Sequence, residues 1–137
     1  MKHFFMICLS LSLVVSTPAF AQSGGNVKDG NKIMQIATDW LKLIDRGEYA
    51  KAYDSTSPWF RRTQIRSLWV ARIKGYREKL GPLQNRSSLS LVYKEIKNGM
   101  LLSTVHFSCL YEHQIGRRET VTLLYENGWK IIGYFSQ

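Results

Sequence analysis

The chain has 137 residues, of which 19 are Lys or Arg and 10 are Asp or Glu, a formal net charge of +9 with the histidines neutral. That length accommodates one domain whose core stands without metals or crosslinks, and no second domain is expected. The positive balance favours acidic partners such as phospholipid headgroups, anionic glycans or nucleic acid, without choosing among them.

Residues 1–21 follow the order of a bacterial secretory signal peptide. Lys2 and His3 form a short basic start, Phe4 to Val15 is an apolar run broken only by Ser10 and Ser12, and Pro18 precedes the small-x-small site Ala19-Phe20-Ala21. The apolar run falls short of the roughly 20 residues that cross a bilayer core. Cys8 lies inside that run without the small residues of a lipoprotein processing site. Cleavage between Ala21 and Gln22 and a periplasmic or secreted destination are therefore expected. The mature chain then has 116 residues, 18 basic against 10 acidic, a net +8. Cys109 is left alone, so no internal disulfide can form in an oxidising compartment.

Residues 22–30 are polar and glycine-rich, with too little apolar surface to offset the entropy of ordering them, and read as a flexible leader before a single domain over 31–137. From there Ile33, Ile36, Ala37, Trp40, Leu41 and Ile44 recur at the three-and-four spacing of one helix face, with Asn31 as cap and Gly47 as the left-handed stop. A short helix over 48–54 puts Tyr49 and Tyr53 four apart, and Ser55-Thr56-Ser57-Pro58 ends it. Trp59-Phe60-Arg61-Arg62 then reads as a loop. A third helix over 63–80 carries the stripe Ile65, Trp69, Ile73, Tyr76, Leu80, and Gly81-Pro82 terminates it.

Beyond Pro82 the period changes from about 3.6 to two, the mark of strands. Leu89, Leu91 and Tyr93 alternate with polar residues up to the turn Lys97-Asn98-Gly99, and the returning strand puts Leu101, Val105, Phe107, Cys109 and Tyr111 on one face. A loop near Gln114–Gly116 leads to a strand from Glu119 to Tyr125, and Glu126-Asn127-Gly128 turns the chain into a last strand from Trp129 to Phe135. Gly133 marks a bulge or a close approach of a helix. Three helices followed by four strands with short connections predict an α+β domain, its helices packed on one face of a curved antiparallel sheet.

Trp40-Leu41, Asp45-x-Gly47-x-Tyr49, Tyr53-Asp54, Trp69, Arg77-x-x-Leu80-Gly81, Arg86, Glu119-Thr-Val-Thr-Leu, Gly128-Trp129 and Gly133-Tyr134-Phe135 together resemble the bacterial exported family called domain of unknown function 4019. Tyr53 departs from the tryptophan expected there, a change that bears on packing at the corner. The resemblance implies an exported protein with a cone-like fold similar to the nuclear transport factor two and cystatin-like superfamily. It implies no activity, and no catalytic or binding residue is carried over with it.

His106 and His113 lack an oriented partner at any recognisable spacing, and no Cys, His and carboxylate cluster suits zinc, so neither a metal nor another cofactor is expected. Glu119 shares a strand side with Val121, Leu123 and Tyr125, which places its carboxylate under cover, and a covered carboxylate usually survives by pairing. An ion pair with Arg77 or Arg86 is the expected arrangement; the alternative is an inward proton-transfer group in a small pocket enzyme. Cys109 reads as a small core residue, with an intermolecular disulfide as its alternative. Trp59 and Phe60, between a proline and two arginines, suit a lipid or protein surface. Arg66, Lys74 and Arg77 fall on one flank of a basic helical stretch over 61–86, an arrangement open to anionic contacts, with nucleic acid the weaker version for want of any binding motif. The function expected first is a non-enzymatic exported domain that binds an envelope protein or a small apolar ligand.

Overall fold

The computed structural model describes residues 29–137, and the signal peptide expected over 1–21 and most of the leader expected over 22–30 lie outside the described residues. Four helices precede four strands: α1 (Gly30–Asp45), α2 (Tyr49–Asp54), α3 (Pro58–Thr63), α4 (Arg66–Leu80), β1 (Leu83–Ile96), β2 (Met100–Tyr111), β3 (Gln114–Tyr125) and β4 (Trp129–Ser136). The strands form one antiparallel sheet in chain order β1-β2-β3-β4.

The α1 helix begins one residue before the expected cap. Asp29 occupies the N-cap without a side-chain cap bond, and its carboxylate instead accepts from the Trp129 indole N–H at 3.3 Å. At the other end Gly47, at φ 74°, lets its own N–H reach the Ile44 carbonyl and that of Glu48 reach Leu43, closing the helix in a Schellman turn. Ile33, Ala37, Leu41 and Ile44 all point into the core, as their spacing requires.

The expectation of three helices is corrected to four. Ser57-Pro58, read as a terminator of α2, also starts a helix: Ser57 Oγ accepts from the Phe60 N–H at 3.0 Å and Pro58 sits at the first helical position, where its missing N–H is not needed. The resulting turn, α3, rotates Phe60 into an aromatic cluster with Tyr53 and Trp69, at centroid distances of 6.0 Å to each. The helix expected over 63–80 therefore starts at Arg66, and Ile65, taken for part of its buried stripe, is its exposed N-cap residue.

In the sheet, Val105, Phe107, Cys109 and Tyr111 of β2 and Glu119, Val121 and Leu123 of β3 face the helices. Leu101, expected on that face, lies near the hairpin tip and is exposed. Leu89 is likewise exposed, because a register shift between Ser88 and Ser90 removes it from the alternation that Leu91 and Tyr93 keep. The β3 strand begins at Gln114, so the loop expected near Gln114–Gly116 contracts to a turn at Glu112-His113. Another irregularity, between Thr122 and Leu123, lets Ile131 and Gly133 oppose consecutive β3 residues with Ile132 looped between them. That extra residue switches the parity of β4: Trp129 and Ile131 face inward before it, and Tyr134 and Ser136 after it.

Candidate functional site

The inward switch of Tyr134 completes a cluster of charged and hydroxyl groups between the helices and the sheet. Glu119, fully buried, is its centre. Oε1 accepts from Tyr111 Oη at 2.5 Å, Tyr134 Oη at 2.6 Å and Arg77 Nη1 at 2.9 Å. Oε2 accepts from Arg86 Nε at 2.8 Å, lies 2.7 Å from Arg86 Nη2, and takes the Cys109 thiol at 3.2 Å. Asp45, at the end of α1, holds the outer ends of both arginines: Arg77 Nη2 at 2.7 Å and Arg86 Nη1 and Nη2 at 2.6 and 2.8 Å. Two guanidinium groups and two carboxylates thus balance in charge, and the Arg77 guanidinium also lies 4.8 Å from the Tyr111 ring centre.

The chemistry of this cluster is that of a brace. Burial works to raise the pKa of Glu119, but the charge of Arg86 and the hydrogen bonds from Tyr111, Tyr134 and Cys109 outweigh it and hold the carboxyl below the usual range. Its lone pairs are occupied, so it has no vacancy from which to take a proton off a substrate. Burial, reinforced by the neighbouring Glu119 charge, pushes the Cys109 thiol up to about 12, which makes it a poor nucleophile and a poor partner for an intermolecular disulfide. The Tyr111 and Tyr134 hydroxyls are raised by burial and by the same carboxylate, and remain donors.

The remaining residues singled out from the sequence do not assemble into one patch. Arg77 is withdrawn into the cluster, Arg66 makes a two-toothed pair with Asp54 at 2.8 and 2.9 Å, and Lys74 lies 4.0 Å from Glu78. Phe60 is buried, which leaves Trp59 alone of that pair at the surface. His106 Nδ1 lies 3.0 Å from Thr120 Oγ1 on the sheet face away from the helices, and the His113 ring packs against Gly81. Among the described residues no group of three or more His, Cys, Asp and Glu side chains is placed to hold a metal, and no helix is long and apolar enough to cross a membrane.

An open groove of about 560 Å³ runs between α1 and the start of β4. Trp40, Trp129 and Ile131 make its floor, Ile36 and Leu43 its wall, and Asp39 and Lys130 stand at its rim. The Trp40 indole N–H is already satisfied by the Ala52 carbonyl at 2.9 Å, so the floor offers its ring rather than a donor. A smaller, more polar hollow of about 370 Å³ beside Tyr49, Glu78 and His113 touches the outer edge of the Arg77–Asp45 pair.

The family model described as protein of unknown function (DUF4019) matches residues 36–134. The chain belongs to that family. Every member of the Glu119 cluster in this DUF4019 chain, from Asp45 to Tyr134, falls within the matched span, and so does the whole lining of the apolar groove. A search of curated proteins found no match. Of the cluster, sequence reasoning named Glu119, Arg77 and Arg86 and missed Asp45, Cys109, Tyr111 and Tyr134 as its members. The odd-numbered alternation of β2 was the available signal for Tyr111, whereas Tyr134 depends on the β4 bulge, which alternation alone does not reveal.

Proposed function

We propose that this DUF4019 chain is an exported, periplasmic, non-enzymatic domain that holds a small apolar ligand, or an apolar segment of an envelope protein, on a cone-like scaffold of the nuclear transport factor two and cystatin-like kind. The observation that supports binding is the groove between α1 and β4, where two tryptophan rings and three aliphatic side chains line one concave surface. The order of charge, apolar run and small-x-small site over residues 2–21 supports export. The pocket-enzyme reading has the engaged carboxylate of Glu119 against it.

Titration of the chain with a neutral apolar fluorophore such as N-phenyl-1-naphthylamine tests the groove. Saturable binding is expected, weakened roughly tenfold or more by Leu43→Asp or Ile36→Asp, since each removes an aliphatic contact with the ligand and introduces a charge. Trp59→Ala, outside the groove, leaves it unchanged. Equal affinity in Leu43→Asp sinks the groove as the site. Export is tested by cell fractionation with mass determination: a periplasmic chain beginning at Gln22 supports it, and a cytoplasmic chain retaining residues 1–21 rejects it.

A further inference from the structure

The helical layer exposes its large apolar side chains at one corner. Trp59 on α3 and Ile65 and Leu68 at the start of α4 are 47%, 66% and 59% exposed, while the other large apolar side chains exposed among the described residues belong to the sheet. Trp59 and Arg62 are three apart on α3, on the side left outward when Phe60 turns in. Ile65, Leu68 and Arg72 follow at three and four, a single flank of α4 beside the buried Trp69 and Ile73. Only Gln64 and Ile65 separate the two helices.

The segment that forms this corner carries charge of one sign. From Pro58 to Arg72 there are four arginines and no acidic residue. Arg61 is occupied with the carbonyls of Asp54 and Thr56, and Arg66 with the Asp54 carboxylate. Arg62 and Arg72 have no carboxylate within salt-bridge distance among the described residues. Aliphatic side chains and a tryptophan beside unneutralised arginines match the layered chemistry of an anionic bilayer surface, where rings settle at headgroup level, aliphatic groups reach the acyl boundary and guanidinium groups meet phosphates. Nucleic acid supplies the phosphates but has no use for Ile65 and Leu68.

We propose that the α3–α4 corner docks the protein on anionic phospholipid, with Trp59, Ile65 and Leu68 entering the interface and Arg62 and Arg72 contacting headgroup phosphates. The corner is built from residues other than those of the α1–β4 groove, so the proposal stands or falls independently of it.

Flotation of the full chain, processed as the cell leaves it, with phosphatidylglycerol/phosphatidylcholine vesicles tests the proposal. The tryptophans supply an internal reporter, because Trp40, Trp69 and Trp129 are buried and Trp59 is not. The chain is expected to float with the mixed vesicles and not with pure phosphatidylcholine, with a blue shift of emission that Trp59→Phe removes. Arg62→Gln and Arg72→Gln each weaken binding roughly fivefold and reduce its salt dependence. Ile65→Asp and Leu68→Asp release the chain while leaving its thermal unfolding midpoint in place. Undiminished flotation of Leu68→Asp, equal binding to neutral vesicles, or no binding to either overturns the proposal. So does retention of an acidic envelope protein that Leu68→Asp loses, without vesicle binding, which assigns the corner to a protein partner instead.

Discussion

Glu119 shows how the worth of a buried charge is set by its neighbours. Ionised and paired, it satisfies donors from Arg77, Arg86, Tyr111, Tyr134 and Cys109; neutralised, it leaves two guanidinium groups sharing Asp45 alone. Glu119→Gln is therefore expected to destabilise the fold by about 3–5 kcal/mol, the usual range for removing one partner of a buried pair, measured by urea unfolding. The pH dependence follows from the lowered pKa of the folded state. The unfolded carboxylate takes up its proton first as the pH falls, so the stabilisation is complete above the ordinary glutamate range and drains away as the pH drops through the lower folded value. Urea midpoints between pH 7 and pH 3 should fall more steeply for the native chain than for Glu119→Gln, and parallel curves would remove Glu119 as the acid-sensitive group.

At the scale of elements, the junctions decide the geometry. Gly81, between α4 and β1, has φ 75° and ψ −172°, a region essentially confined to glycine, and an added Cβ would lie 2.7 Å from the His113 ring. Gly81→Ala is expected to destabilise by about 1–3 kcal/mol, read from the denaturant midpoint, whereas Gly75→Ala on α4, with nothing within 4 Å of its added Cβ, should be neutral or slightly stabilising. Junctions are also where the sequence was hardest to interpret. Periodicity of 3.6 located α1 and the body of α4, and the two Asn-Gly pairs located the hairpins, because a repeated spacing or a positive φ leaves a local residue signature. Ser57-Pro58 fits both a stop and a start, and only the packing of Phe60 against Trp69 distinguishes them. The shifts near Leu89 and Ile132 insert one residue each with no local mark at Leu89 and only Gly133 beside the other, so the change of strand parity across each was illegible. In the site, Glu119 was traceable because it lies on a regular stretch of β3, and Tyr134 was not because it follows a bulge.

Across the whole molecule, the Glu119 cluster joins α1 through Asp45, α4 through Arg77, and all four strands through Arg86, Tyr111, Glu119 and Tyr134. The aromatic cluster adds α2 and α3 to the same core through Tyr53 and Phe60. A helix that left the sheet would strip the arginines or carboxylates of their partners, so partial opening carries nearly the full electrostatic penalty of complete opening. Unfolding should therefore be two-state: the fluorescence of the buried tryptophans and far-ultraviolet circular dichroism are expected to give coincident urea transitions, and separated transitions would show that helices and sheet come apart independently.

The same convergence sets which element completes the fold. The first acidic member, Asp45, and the last hydroxyl, Tyr134, are separated by almost the entire domain, and β4 also supplies Trp129 and Ile131 to the core. A chain without β4 lacks the Tyr134 donor to Glu119 and the Trp129 and Ile131 side chains that cover the core, so the domain is expected to close only once β4 is in place. The arrangement that makes the finished domain hard to open thus ties its closure to the arrival of a single strand.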